Sequence, residues 1–469
     1  MSRTILPLLA GALALAGCAA VPKLGEAPKP AAASSYATAQ SFTAPVAAWP
    51  TDRWWAAYGD PQLDKLMDEA LAGSPSLAEA AARLRAAQAR ADVSRAATVP
   101  SLAANAQANE AKQSYNNGFP AQFVPQGYKD TGRATFDLSY DLDLWGKNRA
   151  ALAAATSEAE AARMDAAEAR LVLTTAIASA YADFARISAE HEAAESSSRN
   201  RSASADLVAK QLANGVANRG EADQARAAAA SSRQDLATLD EQLALARNQL
   251  AALAGAGPDR GLTLIRPAAA PAAAFGLPQN LAVDLLGRRP DLQAARLRAE
   301  AAAKRIDVAK AGFYPNLNLA AFIGVQSLGL SNLSKSGSDI GQAGLAFSLP
   351  IFEGGRLSAD YRGARGDYDA AVAAYDQTLV EALRDVADAA ASQRALQTRL
   401  AAAHESLEAG EAAYRVARLR YEGGLTTYLT LLTAEDTVIL QRRAVAQLEA
   451  RALTLDAGLV RALGGGFRA

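Results

Sequence analysis

Cysteine and histidine are scarce in this chain, and each scarcity excludes a class of site. With a single cysteine among 469 residues, no disulfide can form within the chain. The two histidines, His191 and His404, fall inside long helical stretches, and no cluster of His, Cys and carboxylates has the spacing of metal ligands. A glycine-rich phosphate loop is also absent from the sequence. We therefore expect neither enzymatic activity nor a metal or organic cofactor.

Excess charge and long apolar runs are missing as well. The 48 basic and 49 acidic residues nearly cancel, so the composition gives no reason to expect nucleic-acid binding. After the N-terminus, no stretch reaches the roughly 18 uninterrupted apolar residues that a membrane-spanning helix needs. Any membrane crossing would then have to be made by strands of a closed β-barrel, because lipid offers no partner to unpaired backbone groups.

The N-terminus has the pattern of an export signal. Arg3 precedes an apolar run that is too short to span a bilayer. The run ends in LAGC, which resembles the lipobox of bacterial lipoproteins. We predict that residues 1–17 are a signal peptide and that Cys18 then carries diacylglycerol and palmitate, since multiple acyl chains give durable membrane attachment. Ala19 is typical of export to the outer membrane. The alternative is an ordinary secretory peptide with an incidental cysteine.

Most of the remaining chain consists of two related halves. A linker rich in Ala, Pro and Ser at 18–50 leads into the first half (51–255), and an insert at 256–288 separates it from the second half (289–469). The repeat of about 210 residues is far longer than a solenoid unit and indicates a duplicated domain half. The corresponding positions include Pro75 and Pro290 (290 − 75 = 215), Pro100 and Pro315 (315 − 100 = 215), YDLDLWGKNR from Tyr140 and FSLPIFEGGR from Phe347 (347 − 140 = 207), and Gly215 and Gly424.

Each half contains two segments in which apolar and polar residues alternate, the pattern of a β-strand. In 134–144 the polar face carries Asp137, Asp141 and Asp143, which suits a water-filled lumen, and about ten residues is the length of a membrane strand. A half-buried strand of a soluble sheet is the alternative. We predict strands at about 98–110, 133–145, 314–327 and 340–351, joined within each half by the loops 111–131 and 327–338.

Four strands are too few for a barrel, because known single barrels have at least about eight. Three copies of the chain would supply twelve strands (4 × 3), so we expect the chain to close its barrel by trimerisation.

Each half also contains a very long helical stretch, of 67 or 68 residues, with a length of roughly 100 Å at 1.5 Å per residue. Apolar residues at heptad-like spacing, such as Leu379, Leu383 and Val386, indicate coiled-coil packing. Each long helix is about as long as two shorter helices placed end to end. We therefore predict that the shorter helices stack in two pairs, each matching one long helix in length. The predicted long helices are 147–213 and 354–421, and the predicted stacks are 219–255 on 289–312 and 428–462 on 74–97.

A set of short motifs, in their order and spacing, resembles the TolC-like outer membrane efflux protein family, in its lipoprotein (NodT-type) branch. The resemblance extends from about Trp54 to Phe467. Its marks are WWAAYGDP at Trp54, YDLDLWG at Tyr140, RRPDL at Arg288, FYP at Phe313, LPIFEGG at Leu349, YEGGLTTYL at Tyr421 and ALGGGF at Ala462.

The resemblance implies a mainly α fold with a membrane β-barrel, in which a trimeric barrel of twelve strands continues into a periplasmic tunnel of twelve helices. It implies a passive exit duct for small molecules such as drugs, working with a periplasmic adaptor and an inner-membrane pump of RND type. Outer membrane lipid would surround the barrel. Two alternatives stay open: an exit channel for type I protein secretion, and a structural coiled-coil surface lipoprotein without a lumen.

The resemblance also implies that the adaptor docks on the glycine-containing turns, 214–220 and 422–428, and a simple helix-hairpin turn is the alternative. Because residues at equal distances from a turn face each other in a helical hairpin, we predict a gate just inside the second turn, where Leu429 from three chains forms a dewetted constriction and Asp436 pairs with Arg415 or Arg418 to hold the hairpins shut. A solvated helix surface without a gating role is the alternative. Thr433 stands where relatives often carry Asp, which departs from the family pattern. The docking residues are Gly215, Val216, Ala217, Gly423, Gly424 and Leu425, and the gate residues are Leu429, Thr430, Thr433, Asp436, Arg415 and Arg418.

Lipidation of Cys18 is directly testable. Metabolic labelling with a palmitate analogue should mark the wild-type protein, because the processed cysteine would carry the acyl chains. The Cys18→Ser variant should stay unlabelled, since no other cysteine is present. Equal labelling of both proteins would contradict the prediction.

Overall fold

The computed structural model describes residues 21–267, 276–279 and 281–468. The predicted signal peptide at 1–17 and Cys18 lie outside the described residues. The chain divides into two compact units, of which the first comprises Met1–Pro30, Leu84–Ala162 and Ala295–Tyr375, and the second comprises Ala31–Arg83, Arg163–Ala294 and Asp376–Ala469.

Helices dominate the described residues, and none of these helices is long and apolar enough to cross a membrane. Their bounds are α1 Pro61–Gly73, α2 Pro75–Ala96, α3 Lys147–Ala213, α4 Arg219–Leu253, α5 Asp259–Leu262, α6 Leu281–Arg288, α7 Pro290–Ala311, α8 Arg356–Glu422 and α9 Tyr428–Ala462. The strands are β1 Ser101–Ala111, β2 Lys129–Asp141, β3 Asn316–Leu328 and β4 Asp339–Ser348.

The first unit contains an antiparallel sheet in which the strands lie in the order β1-β2-β3-β4. Apolar residues face one another across the strands: Leu138 of β2 lies opposite Leu102 of β1 and Ala321 of β3. Gly324 allows β3 to approach β2 closely, because a Cβ there would lie 2.0 Å from the carbonyl oxygen of Ala134. The outer edges of β1 and β4 carry no neighbouring strand within the described part of the chain.

Strand β2 ends earlier than the predicted boundary of 145. The backbone of Asp143 has a φ of 43°, which removes this residue from the strand. Its carboxylate instead accepts the backbone N–H groups of Asn148 and Arg149, at 3.0 Å each, in the first turn of α3. Assigning Asp143 to the polar face of the strand was therefore wrong, because its carboxylate satisfies otherwise unpaired donors at the helix start.

The second unit is built around a core that the N-terminal part of the first half supplies. Trp54, Trp55 and Tyr58 form a short helical turn, and Asp60 then caps α1 by accepting the backbone N–H of Gln62 at 2.8 Å. These aromatic residues and the buried face of α1 pack against the middle of α3 and the ends of α4 and α9. The result is an apolar core beside the ends of the hairpin helices.

Helix stacking corrects the pairing that length matching predicted. A Cβ on Gly255, just after α4, would lie 2.6 Å from the carbonyl oxygen of Gly73, immediately before α2. A Cβ on Gly464, just after α9, would lie 2.0 Å from the carbonyl oxygen of Arg288, immediately before α7. Helix α4 therefore ends against the start of α2, and α9 ends against the start of α7. The prediction that each return helix stacks on a short helix of the other half was wrong. Helix length could not distinguish the two pairings, because the summed length of the two stacked helices is nearly the same in both.

The segment that composition predicts to be a flexible linker is held along α8. In the first unit, the guanidinium of Arg365 donates to the carbonyl oxygens of Gly25 at 2.9 Å and Glu26 at 2.6 Å. In the second unit, Arg394 donates to the carbonyl oxygen of Thr43 at 2.8 Å. The composition of residues 18–50 predicted a linker. It did not predict that side chains of a helix more than 300 residues away in sequence bind the carbonyl groups of this segment.

Glycine at position 464 should be indispensable for the α9–α7 contact. The residue has a φ of +86°, and an alanine there would meet the Arg288 carbonyl. We expect Gly464→Ala to lower the free energy of unfolding by more than the ~1–2 kcal/mol that left-handed backbone alone costs. Gly458→Ala is the matched control, because Gly458 lies within α9 with open space around it and alanine favours helix. Equal thermal unfolding midpoints for the two variants would contradict this account.

Candidate functional site at the hairpin turns

The turns between α3 and α4 and between α8 and α9 have the same backbone design. Gly215 and Gly424 have φ values of 74° and 71°, the left-handed conformation that ends a helix. The next residue in each turn donates its backbone N–H five residues back, from Val216 to Gln211 at 2.8 Å and from Leu425 to Arg420 at 2.8 Å. The two predicted turns therefore share a left-handed glycine and the same backbone hydrogen bond at the ends of two helical hairpins.

The start of the return helix differs between the turns. Asn218 caps α4 by accepting the N–H of Glu221 at 3.0 Å, and the Glu221 side chain accepts the N–H of Asn218 at 3.2 Å. Thr427 stands before α9 without a capping bond from its side chain. Because a lost cap destabilises a helix start by about 1 kcal/mol, the first turn of α9 is held less firmly than that of α4.

Both turns expose an apolar side chain at the same position. Val216 is 77% exposed and Leu425 is 72% exposed, although valine and leucine are usually buried. Behind them a small core joins the two hairpins, in which Val208 and Ala225 of the first hairpin pack with Tyr428 of the second. The core thus brings the two exposed side chains into one region of the second unit.

A buried arginine links the hairpins farther along the helices. Arg201 of α3 donates from Nε to the Glu435 carboxylate of α9 at 3.3 Å, and from Nη2 to the Asp436 carboxylate. The Arg201 and Glu435 side chains are largely buried, whereas the Asp436 side chain is about half exposed. Both partners lie on the other hairpin, so the contact breaks if the two hairpins move apart.

Burial and charge act in opposite directions on this cluster. Burial raises the pKa of Glu435, and the attraction of Arg201 only partly offsets that effect. For Arg201, burial would lower the pKa, but the hydrogen bond to Asp436 and the charge of Glu435 outweigh it and raise the pKa. Arg201 therefore stays charged, and Glu435 protonates at a higher pH than an ordinary glutamate does.

The predicted ion pair of the gate has a different composition in the structure. Asp436 was expected to pair with Arg415 or Arg418, but among the described residues its partner is Arg201. Arg418 instead donates to Glu422, one turn away on its own helix, at 2.8 Å. The prediction was wrong because it compared residues only within one hairpin, whereas the contact joins two.

Sequence reasoning missed Arg201, although a usable signal was present. Arg201 lies 14 residues before Gly215 (215 − 201), and Asp436 lies 12 residues after Gly424 (436 − 424). Residues at similar distances from equivalent turns lie at similar levels, so counting from both turns would have brought the two together. Of the other predicted gate residues, Leu429, Thr430 and Thr433 lie on the first two turns of α9, where Leu429 is exposed and Thr433 donates its hydroxyl hydrogen to the Leu429 carbonyl oxygen at 2.9 Å. Arg415 lies in α8.

Among the described residues, no group of three or more His, Cys, Asp and Glu side chains is arranged to hold a metal ion. His191 shares a hydrogen bond of 2.7 Å with Asp240 of the neighbouring helix, and His404 lies 4.0 Å from Glu449. Each histidine thus lies opposite one carboxylate across a pair of helices.

Comparison with known proteins matches residues 66–256 and 281–465 to the family described as "Outer membrane efflux protein". A similar protein is the multidrug resistance outer membrane protein MdtP of Escherichia coli O6:H1, 32% identical over 482 residues that cover 100% of this chain and 98% of MdtP. Another is the fusaric acid resistance protein FusA of Burkholderia cepacia, 39% identical over 368 residues that cover 76% of this chain and 68% of FusA.

Solved structures show the same likeness. The outer membrane protein VceC of Vibrio cholerae has a TM-score of 0.84 at 43% identity, covering 90% of this chain and all of VceC. The CmeC outer membrane channel of Campylobacter jejuni has a TM-score of 0.88 and 96% coverage of both chains, but at 23% identity it speaks for the fold alone.

Proposed function

Because the chain belongs to the outer membrane efflux protein family and is an outer membrane efflux channel, we propose that it is the passive exit duct of a tripartite system that exports drugs. Three copies would complete a twelve-strand barrel and a twelve-helix tunnel. A sheet whose two outer edges have no neighbouring strand among the described residues of one chain supports this arrangement. We also propose the lipid anchor on Cys18. A periplasmic adaptor and an inner-membrane pump of RND type would be the partners.

The observation that carries the proposal is the pair of equivalent turns. An exposed apolar residue at the same position of both turns gives the adaptor two similar contacts in each protomer, and six in a trimer (2 × 3). Small, exposed apolar contacts of this kind suit a partner that docks reversibly. The proteins named for multidrug and fusaric acid resistance support drugs as cargo. Type I protein secretion is the second candidate. A deletion strain separates the two functions, because it loses either drug resistance or protein secretion.

A deletion strain should become more susceptible to drugs while secreting proteins normally, and the wild-type gene should restore resistance. The double variant Val216→Asp and Leu425→Asp should fail to restore it, because charged residues cannot replace the apolar contacts with the adaptor. These substitutions preserve the two glycines, so the turns themselves should form. Leu262→Asp is the matched control, as Leu262 is similarly exposed but lies in α5, outside the turns.

Native mass measurement of each purified variant in detergent should show trimers. Trimeric turn variants that restore full resistance would overturn the docking role. Unchanged drug susceptibility with impaired protein secretion in the deletion strain would overturn the drug-efflux assignment in favour of secretion.

We further propose that the Arg201 cluster is the latch of the gate and that Leu429, with Thr430 and Thr433 beside it, lines the constriction. In the closed state Arg201 ties the two hairpins, and removal of Arg201 would leave Glu435 buried without a cation. A hydrogen bond to a charged group is worth about 1.5–3 kcal/mol, so losing it in each of three protomers should open the channel. The adaptor would supply that free energy in the assembled system.

Single-channel recordings should show higher conductance for Arg201→Met than for the wild type. Arg418→Met should conduct like wild type, because Arg418 donates to Glu422 on its own helix. The pH effect has a definite sign. Burial raises the pKa of Glu435 when the hairpins are closed, so the closed form binds the proton more tightly than an open form in which Glu435 meets water. Lowering the pH through the raised pKa of Glu435 should therefore favour closure. Glu435→Gln, which is uncharged like the protonated glutamate, should not open the channel. If Arg418→Met opened the channel and Arg201→Met did not, the original prediction that Arg418 pairs with Asp436 in the latch would be restored.

A further inference from the structure

Phe352 is the most exposed large apolar side chain among the described residues of the sheet-containing unit. It is 88% exposed and lies in the segment between β4 and α8, next to the exposed Ile351. Large exposed apolar side chains beside one another indicate a surface that something covers. The duplication identifies the corresponding residue of the first half as Trp145, at the same offset of 207 residues that relates Tyr140 to Phe347 (352 − 145).

Trp145 closes the seam between the two halves. Its ring stacks on Tyr314 with the centroids 4.7 Å apart and the planes 20° from parallel. Its Nε1–H donates to the carbonyl oxygen of Pro315 at 2.8 Å. Trp145 follows β2 and Tyr314 precedes β3, and these two strands pair with each other. The backbone N–H of Leu142 extends that pairing by donating to Leu317 at 2.9 Å.

Every part of this seam has a counterpart on the outer edges of the sheet. Strand β4 corresponds to β2, and β1 corresponds to β3. Phe352 corresponds to Trp145, while Val99 and Pro100 correspond to Tyr314 and Pro315 at the offset of 215 residues (314 − 99). Val99 is 54% exposed. The two counterparts lie on opposite edges of one sheet, so a single chain cannot bring them together.

We propose that Phe352 packs on Val99 and Pro100 of a second copy of the chain and is the anchor of the contact between copies. This inference rests on the proposed trimer and names the residues that hold it together. The seam between copies repeats the seam between halves: β4 lies beside β1 of the second copy, and the Leu349 N–H takes the role of the Leu142 N–H. The phenylalanine side chain has no N–H group. The anchor contact is therefore purely apolar, unlike the contact of Trp145, whose Nε1–H donates to Pro315.

Cysteine crosslinking tests the contact. In membranes, Phe352→Cys combined with Val99→Cys should yield covalent dimers and trimers with a short bifunctional thiol reagent. Each single variant should yield none, which also controls for Cys18. The intrachain counterpart, Trp145→Cys with Tyr314→Cys, should crosslink without an increase in mass. Trimers by native mass measurement together with no Phe352–Val99 crosslink would overturn the anchor and leave the proposed function standing, whereas the absence of any oligomer would overturn both.

Truncation distinguishes a protein contact from a lipid contact. Phe352→Ala should lower the temperature at which trimers dissociate in detergent, and Phe352→Trp, which installs the residue of the intrachain seam, should maintain it. Phe123→Ala is the control, because Phe123 is a similarly exposed aromatic residue in the loop between β1 and β2. In the Phe352→Trp protein, strong fluorescence quenching by brominated lipids with an unchanged dissociation temperature for Phe352→Ala would mean that lipid covers Phe352, and it would refute the proposal.

Discussion

Unpaired backbone groups on β1 and β4 are the constraint on which the assembly depends. In the sheet of one chain, the inner strands β2 and β3 each pair with a strand on both sides, but the edge strands β1 and β4 have no neighbouring strand on their outer side in the described part of the chain. In water such groups bind solvent, whereas in hydrocarbon each would cost several kcal/mol. A chain that belongs to an outer membrane family therefore has to satisfy both edges at once. The duplication offers a ready solution, because the seam between β2 and β3 already joins the same two kinds of strand.

In the second unit, glycine residues allow helix ends to meet closely. Helices α4 and α9 both end in a left-handed glycine that lies against the backbone just before another helix, Gly255 against Gly73 and Gly464 against Arg288. Because a side chain at either position would collide with a carbonyl group, the helix ends can abut without intervening atoms. Each return helix is thereby continued by a helix of its own half, and the two halves keep the same internal design after duplication.

Local signals allowed much of the fold to be predicted, and long-range contacts did not follow from them. The bounds of α3 at Lys147–Ala213 and of α9 at Tyr428–Ala462 coincide with the predicted ones, because glycine and the residues around it mark helix ends. Length alone could not assign the helix stacks, since both pairings have nearly equal length. Nor could composition show that Arg365 binds the carbonyl groups of the N-terminal segment, a contact that depends on folding of the whole unit.

Two buried arginines illustrate why similar chemistry can be permanent in one place and reversible in another. Arg289 binds Asp291, two residues away, together with Asp385 and the Ala462 carbonyl oxygen at the end of α9. Burial would lower the pKa of Arg289, but its carboxylate partners raise it, so Arg289 stays charged. Among the described residues, Arg201 binds two carboxylates, both on the other hairpin, and one of them is half exposed to water. If the hairpins separate, as the proposed latch requires, both ion pairs of Arg201 break together, and water can solvate Asp436, which lowers the cost of separation. The partners of each arginine, more than its burial, therefore decide which of the two can act as a switch.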